Sequence, residues 1–234
     1  MSCLAVKGFS LSTLISWVID TIANSSIELK LKNLSIIIGE NVEDAMSDLN
    51  YFLNLISLIN KNSTDITFIA QKIAQKIEFG NSIWIMGNGG SASTAEHFET
   101  DLSFIKMGSN FAKIKAFSLT ANSSVVTAIA NDLGFDQVFS HQLHRKASKG
   151  DLCFIISASG NSENLIKAID AAKDLELETI ALLGFDGGKA LNIVNHAILM
   201  KTDIGQYGPV EDLHLALCHA ISLKVLNLMK TKND

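Results

Sequence analysis

His97 and Asp101 stand four residues apart in a stretch with helical periodicity, so their side chains share one face of a helix. Near the C-terminus Glu211 and His219 are eight apart, about 80° around a helix axis at 3.6 residues per turn, which leaves them on roughly one side. Two imidazoles and two carboxylates make the donor set of a divalent metal site, and equally of an acid–base pair. A second group of residues points to anion binding. Gly87-Asn88-Gly89-Gly90-Ser91 and Ser157-Ala158-Ser159-Gly160-Asn161-Ser162 each follow a short apolar run and precede an amphipathic one. A loop in that position aims backbone N–H groups and hydroxyls at one point, in front of the positive end of a helix dipole, and so holds a phosphate with few Lys or Arg residues. Capping the next helix would occupy one of Ser157, Ser159 and Ser162, leaving two for a ligand. Two such loops make a phosphorylated small molecule the expected ligand.

The elements that must position these groups follow from the pattern of apolar residues. Strand 83–86 leads to helix 91–104, strand 114–119 to helix 122–131, and strand 152–156 to helix 162–174. Strand 179–183 precedes a Gly-Phe-Asp-Gly-Gly loop (184–188), a short helix and strand 196–200. A last helix runs from about Pro209 to Met229, with Glu211 and Asp212 complementing its dipole. Upstream, Val42 to Ile59 form an apolar helical stripe, and Thr64-Asp65 offers the N-cap of a helix closed by Gly80. Strands alternating with helices predict an α/β fold, a parallel sheet covered on both faces, with the ligand at the carboxyl ends of the strands where both loops lie. Residues 1–40 do not fit this pattern and read as an N-terminal extension; residues 41–234 read as the domain.

Composition narrows the function classes. With 47% hydrophobic and 18% charged residues the chain has the makings of a real core. A net charge of −5 and a single arginine, Arg145, argue against a nucleic-acid partner. Cys3, Cys153 and Cys218 have no CxxC spacing, which fits reduced thiols in a cytoplasmic protein, with Cys153 and Cys218 as core fillers. No apolar run reaches the length of a membrane span, and the start lacks the features of a signal peptide. Gly87-x-Gly89-x-x-Ala92 matches a dinucleotide fingerprint only superficially: the next strand runs into Thr120-Ala121-Asn122 without an acidic residue, and no GxxxxGKS or GxxxxGKT loop is present. No nucleotide cofactor is expected.

The chain resembles the SIS (sugar isomerase) domain family, and within it the phosphoheptose isomerase branch, over roughly residues 42–229. The resemblance rests on GNGGSASTAEHF (87–98), AIANDLGF (128–135), SASGNSENLIKAI (157–169), LLGFDGGK (182–189) and VEDLHLALCHAI (210–221). It implies a three-layer, doubly wound, five-stranded parallel sheet flanked by helices, with N-terminal helices. It also implies isomerisation of sedoheptulose 7-phosphate through an enediol, one Zn²⁺ per subunit and a cytoplasmic homotetramer. By the resemblance, Asn88, Gly89, Gly90, Ser91, Asn131, Asp132, Ser157, Ala158, Ser159, Ser162 and Glu211 contact substrate. His97, Asp101, Glu211 and His219 hold the metal, and Asp101 and His219 carry the catalysis. Asp101 stands where the family has Glu and Glu211 where it has Gln. Gly208 replaces an Asp, and Ile105 or Lys106 an Arg. Other readings on the same scaffold are a non-catalytic sugar-phosphate sensor, a partner of the replication initiator DnaA, and an isomerase of a different sugar phosphate.

Overall fold

The computed structural model describes residues 59, 62–107 and 110–231. The N-terminal extension and the helical stripe before Ile59 lie outside the described residues. In chain order the elements are α1 (Ser63–Glu78), β1 (Ser82–Met86), α2 (Gly90–Ser103), β2 (Lys106–Met107), β3 (Asn110–Phe111), β4 (Lys115–Ser118), α3 (Ser123–Asp132) and α4 (Ser140–Lys146). They continue with β5 (Leu152–Ser157), α5 (Glu163–Asp174), β6 (Glu178–Gly184), β7 (His196–Met200) and α6 (Tyr207–Thr231).

Five strands form one parallel sheet in the order β4-β1-β5-β6-β7, as the alternation predicts. The chain leaves β1 for the β4 edge, then returns to build β5, β6 and β7 on the other side. The strand order therefore reverses between β1 and β5, and a ligand crevice belongs at their carboxyl ends. Register puts Met86 opposite Ile155 and Ser157 opposite Leu183, so the two Gly/Ser loops leave the sheet side by side.

β5 is buried along its whole length, as a central parallel strand must be when both faces are covered. On one face Trp84, Met86, Cys153, Ile155, Ala181 and Leu183 pack against Leu143 of α4 and Leu165, Ala168, Ile169 and Ala172 of α5. On the other face, α1, α2 and α6 pack together, and Phe98 of α2 meets Phe154 of β5 with ring centroids 5.0 Å apart. Buried Asp151 staples the amino ends of β1 and β5. It accepts the Ser82 N–H (2.8 Å), the Trp84 indole N–H (2.9 Å) and the Ser148 N–H (3.0 Å).

Two expectations are corrected, and three short elements are added. The cap of α1 is not Thr64-Asp65: the helix starts at Ser63 behind Asn62, whose side chain makes no capping bond, and Asp65 complements the dipole from the first turn. α6 starts at Tyr207, so Glu211 and Asp212 fall in its second turn and no acidic residue lies in its first. The short ribbon of β2 and β3 and the seven-residue α4 are additional, too short to leave a periodic signal.

Candidate active site

The first loop is closed. Gly89 is the N-cap of α2 with φ +55°, a conformation suited to glycine. The Asn88 amide is held by a reciprocal pair of bonds: it donates to the Asn164 Oδ1 and accepts from the Asn164 Nδ2, both at 2.9 Å, tying this loop to the first turn of α5. Ser91 is buried at 5% exposure. Above Gly90 sits the carboxylate of Glu211, so near that a Cβ on Gly90 would lie 2.4 Å from its Cδ and Oε1 and 2.5 Å from its Oε2.

The second loop is open. Ser157 Oγ accepts the Gly160 N–H (3.0 Å) and Ser159 Oγ accepts the Asn161 N–H (3.3 Å). As acceptors both hydroxyls keep their own hydrogens for donation. Ser162 is the N-cap residue of α5 yet makes no capping bond, so its hydroxyl is uncommitted. Ser157 and Ala158 are buried while Ser159 and Ser162 are half-buried, and Ala158 packs its methyl against Phe185 and Val210. The loop is clamped from behind by residues 187–190: Ala190 N–H bonds the Gly160 carbonyl (3.0 Å), and Lys189 N–H bonds Asn161 Oδ1 (3.0 Å). Here the chains touch backbone to backbone, because a Cβ on Gly160 would lie 2.1 Å from the Gly187 carbonyl oxygen.

The helices α2 and α6 bring three of the four sequence-predicted ligands together. His97 Nε2 lies 2.9 Å from His219 Nε2, 3.5 Å from Asp101 Oδ1, and Asp101 Oδ2 is 3.7 Å from His219 Nε2. These atoms all fall within 4.8 Å of one another. Asp101 Oδ2 is buried and has no hydrogen-bond partner. A buried carboxylate oxygen without a donor, facing two imidazoles that are about half exposed, fits a cation such as a divalent metal. Glu211 lies outside this group, over Gly90 near the start of α2. Asn131 and Asp132 end α3, exposed, with the Asn131 amide donating to Asp132 Oδ1 (2.8 Å). No hydrogen bond among the described residues joins them to either loop or to the His–Asp–His group.

A cleft of about 460 Å³ opens beside Asp101 and His219, lined also by Phe104, Lys106, Leu223 and Lys230. The serines of the second loop do not line it. Burial pushes the Cys153 thiol up to about 12, and burial together with the Asp101 charge raises that of Cys218, so both are inert core residues.

The model of the SIS domain matches residues 49–184. The chain belongs to the SIS domain family. It is 39% identical over 153 residues to the phosphoheptose isomerase of Aliarcobacter butzleri, covering 65% of this chain and 79% of that one. It is 34% identical over 193 residues to the phosphoheptose isomerase of Chlorobaculum parvum, covering 82% and 92%. The solved structure of phosphoheptose isomerase GmhA from Neisseria gonorrhoeae superposes with a TM-score of 0.69 at 31% identity, covering 78% and 96%.

Two polar residues of this SIS domain escape sequence reasoning. Asn164, 2% exposed, is the partner that immobilises Asn88; its only signal is an amide on the buried face of an amphipathic helix. His214 of α6 is fully buried, with neither ring nitrogen hydrogen-bonded, and burial pulls its pKa down to about 4. It is three residues after Glu211 and five before His219, so it anchors the helix that presents both. Among the described residues no helix is long and apolar enough to cross a membrane.

Proposed function

We propose that this chain is an aldose–ketose isomerase of a sugar phosphate, converting sedoheptulose 7-phosphate to D-glycero-D-manno-heptose 7-phosphate in the supply of heptose for lipopolysaccharide or capsule. The observation that carries the reading is the meeting of an orphaned Asp101 oxygen with His97 and His219, in a chain related to phosphoheptose isomerases. Asp101 takes the proton from the carbon beside the carbonyl, giving an enediol, and returns it to the neighbouring carbon. His219, half exposed and 3.7 Å from Asp101, moves the proton between the two substrate oxygens. His97, Asp101 and His219 would hold one Zn²⁺ per subunit, which supplies polarisation of the substrate carbonyl. Ser157, Ser159, Ser162 and the N-terminus of α5 hold the phosphate, and Asn88 and the glycines of the first loop shape the floor beneath the sugar. The enzyme works as a cytoplasmic homotetramer.

The test is direct. Sedoheptulose 7-phosphate is mixed with the purified protein, with and without Zn²⁺, and aldose formation is followed by NMR. Turnover that Asp101→Asn and His219→Ala abolish is the expected result. A protein that binds the sugar phosphate yet produces no aldose with any divalent metal is a sensor, and the isomerase reading falls.

A further inference from the structure

Two loops of nearly the same composition stand at the carboxyl ends of neighbouring strands, and each opens a helix: α2 has 14 residues, α5 has 12. By dipole and free N–H groups alone, both are fit to hold an anion. They differ in what already lies there. At α2 the Glu211 carboxylate, carbon and both oxygens, crowds the α-carbon of Gly90. Among the described residues no cation pairs with Glu211, so the fixed positive charge it faces is the start of α2. The first turn of α6, its own helix, has no acidic residue. α5 carries its own first-turn acid, Glu163, but that side chain is exposed and its charge interacts with Lys167. Among the described residues no carboxylate from another element is seen over the start of α5, where Ser162 is uncommitted.

We propose that Glu211 is the residue that sorts the two loops: it occupies the anion position of α2, leaves the Ser157–Ser162 loop as the single phosphate seat, and so restricts the enzyme to sugar monophosphates. β1 and β5 are adjacent strands, about 5 Å apart, and Asn88 and Asn164 join their loops. A sugar with its phosphate in the second loop therefore extends across the first, where Glu211 accepts hydrogen bonds from neutral hydroxyls. A second phosphate at the far end meets a carboxylate instead, and like charges at that distance are rejected. This inference rests on the sugar-phosphate reading above, but not on turnover.

Calorimetric binding tests it with the metal-free protein, using sedoheptulose 7-phosphate and sedoheptulose 1,7-bisphosphate as the probes. Wild type is expected to prefer the monophosphate by about 10-fold or more, and Glu211→Gln, which keeps the shape and removes the charge, to bring the two within about 3-fold through tighter bisphosphate binding. Equal affinities in wild type, or a preference that survives in E211Q, overturn the inference. So does a wild type that binds neither. A wild type that binds the monophosphate selectively but never isomerises it leaves the inference standing and removes the isomerase activity instead.

Discussion

The two Gly/Ser loops are alike in composition and position, but the fold treats them in opposite ways. In the first loop each polar group is directed inward: Asn88 to Asn164, Ser91 into the core, and a carboxylate from α6 against the helix start. In the second, two serines accept bonds from their own loop and keep their hydrogens, and a third is left free. The supports differ too. Behind the second loop lies backbone, at Gly160 and Gly187; in front of the first lies the end of a flexible side chain, at Gly90 and Glu211. A loop braced by backbone keeps one shape, whereas a loop covered by a side chain has a cover that can be moved.

That contrast is broken most severely at Gly160. A methyl there would stand 2.1 Å from the Gly187 carbonyl, and φ is +61°, so neither the contact nor the backbone can relax cheaply. Gly160→Ala is expected to cost about 3 kcal/mol or more in urea unfolding and to abolish phosphate binding. A variant as stable as wild type would mean that the clamp of residues 187–190 is loose. The anchoring of α6, the helix that carries Glu211 over the first loop, is tested through pH. His214 is held neutral in the fold by burial, with a pKa down at about 4, while the unfolded chain takes up a proton near 6.5. Stability from this residue is thus fully present above pH 6.5 and is lost as pH falls toward 4, by roughly 3 kcal/mol in all. In His214→Gln that part of the pH dependence should flatten. An unchanged slope between pH 6.5 and 4 would assign the acid sensitivity to other groups.

Much of this architecture can be read along the chain, and the reasons it stops being readable are local. The central strands are visible because Ile83-Trp84-Ile85-Met86 and Leu152-Cys153-Phe154-Ile155-Ile156 are uninterrupted apolar runs, which a doubly covered sheet demands, whereas the edge strand β4 alternates exposed and buried residues. His97 and Asp101 meet on one face because helical spacing is local. Their meeting with His219 is not local, since it depends on how α2 and α6 run side by side, and only the resemblance anticipates it. Spacing does place Glu211 and His219 on one side of α6, but helix position carries Glu211 to the start of α2 and His219 to Asp101. The inequality of the loops is likewise invisible in their sequences, because it is written in Asn164 and Glu211, one on the helix after the second loop and one more than a hundred residues beyond the first.

A smaller effect sharpens the same comparison at the serines. Ser159→Ala removes a donor from the open loop and is expected to raise KM for the sugar phosphate about 10-fold with little change in kcat, the value of one charge-assisted hydrogen bond. Ser91→Ala removes a buried hydroxyl from the closed loop and should leave KM within about 2-fold. Steady-state kinetics on the pair reads the difference, and a Ser91 variant as impaired as the Ser159 one would make the loops equivalent.

The smallest effect on stability is expected at Gly90, and it is the most informative of the four. A methyl at Gly90 meets only the carboxylate end of Glu211, and the backbone there is not in the left-handed region. Two modest effects oppose each other: Ala is the better helix former by roughly 0.5–1 kcal/mol, and Glu211 must swing away from a helix start that favours it by about the same amount. Gly90→Ala should therefore melt close to wild type while shifting the mono- against bisphosphate preference in the direction of Glu211→Gln. A loss of stability like that at Gly160 would show that the carboxylate is fixed as firmly as backbone. A normal melt with an unshifted preference would show that Glu211 can move without uncovering an anion seat, and the difference between the loops would then lie in their hydroxyls alone.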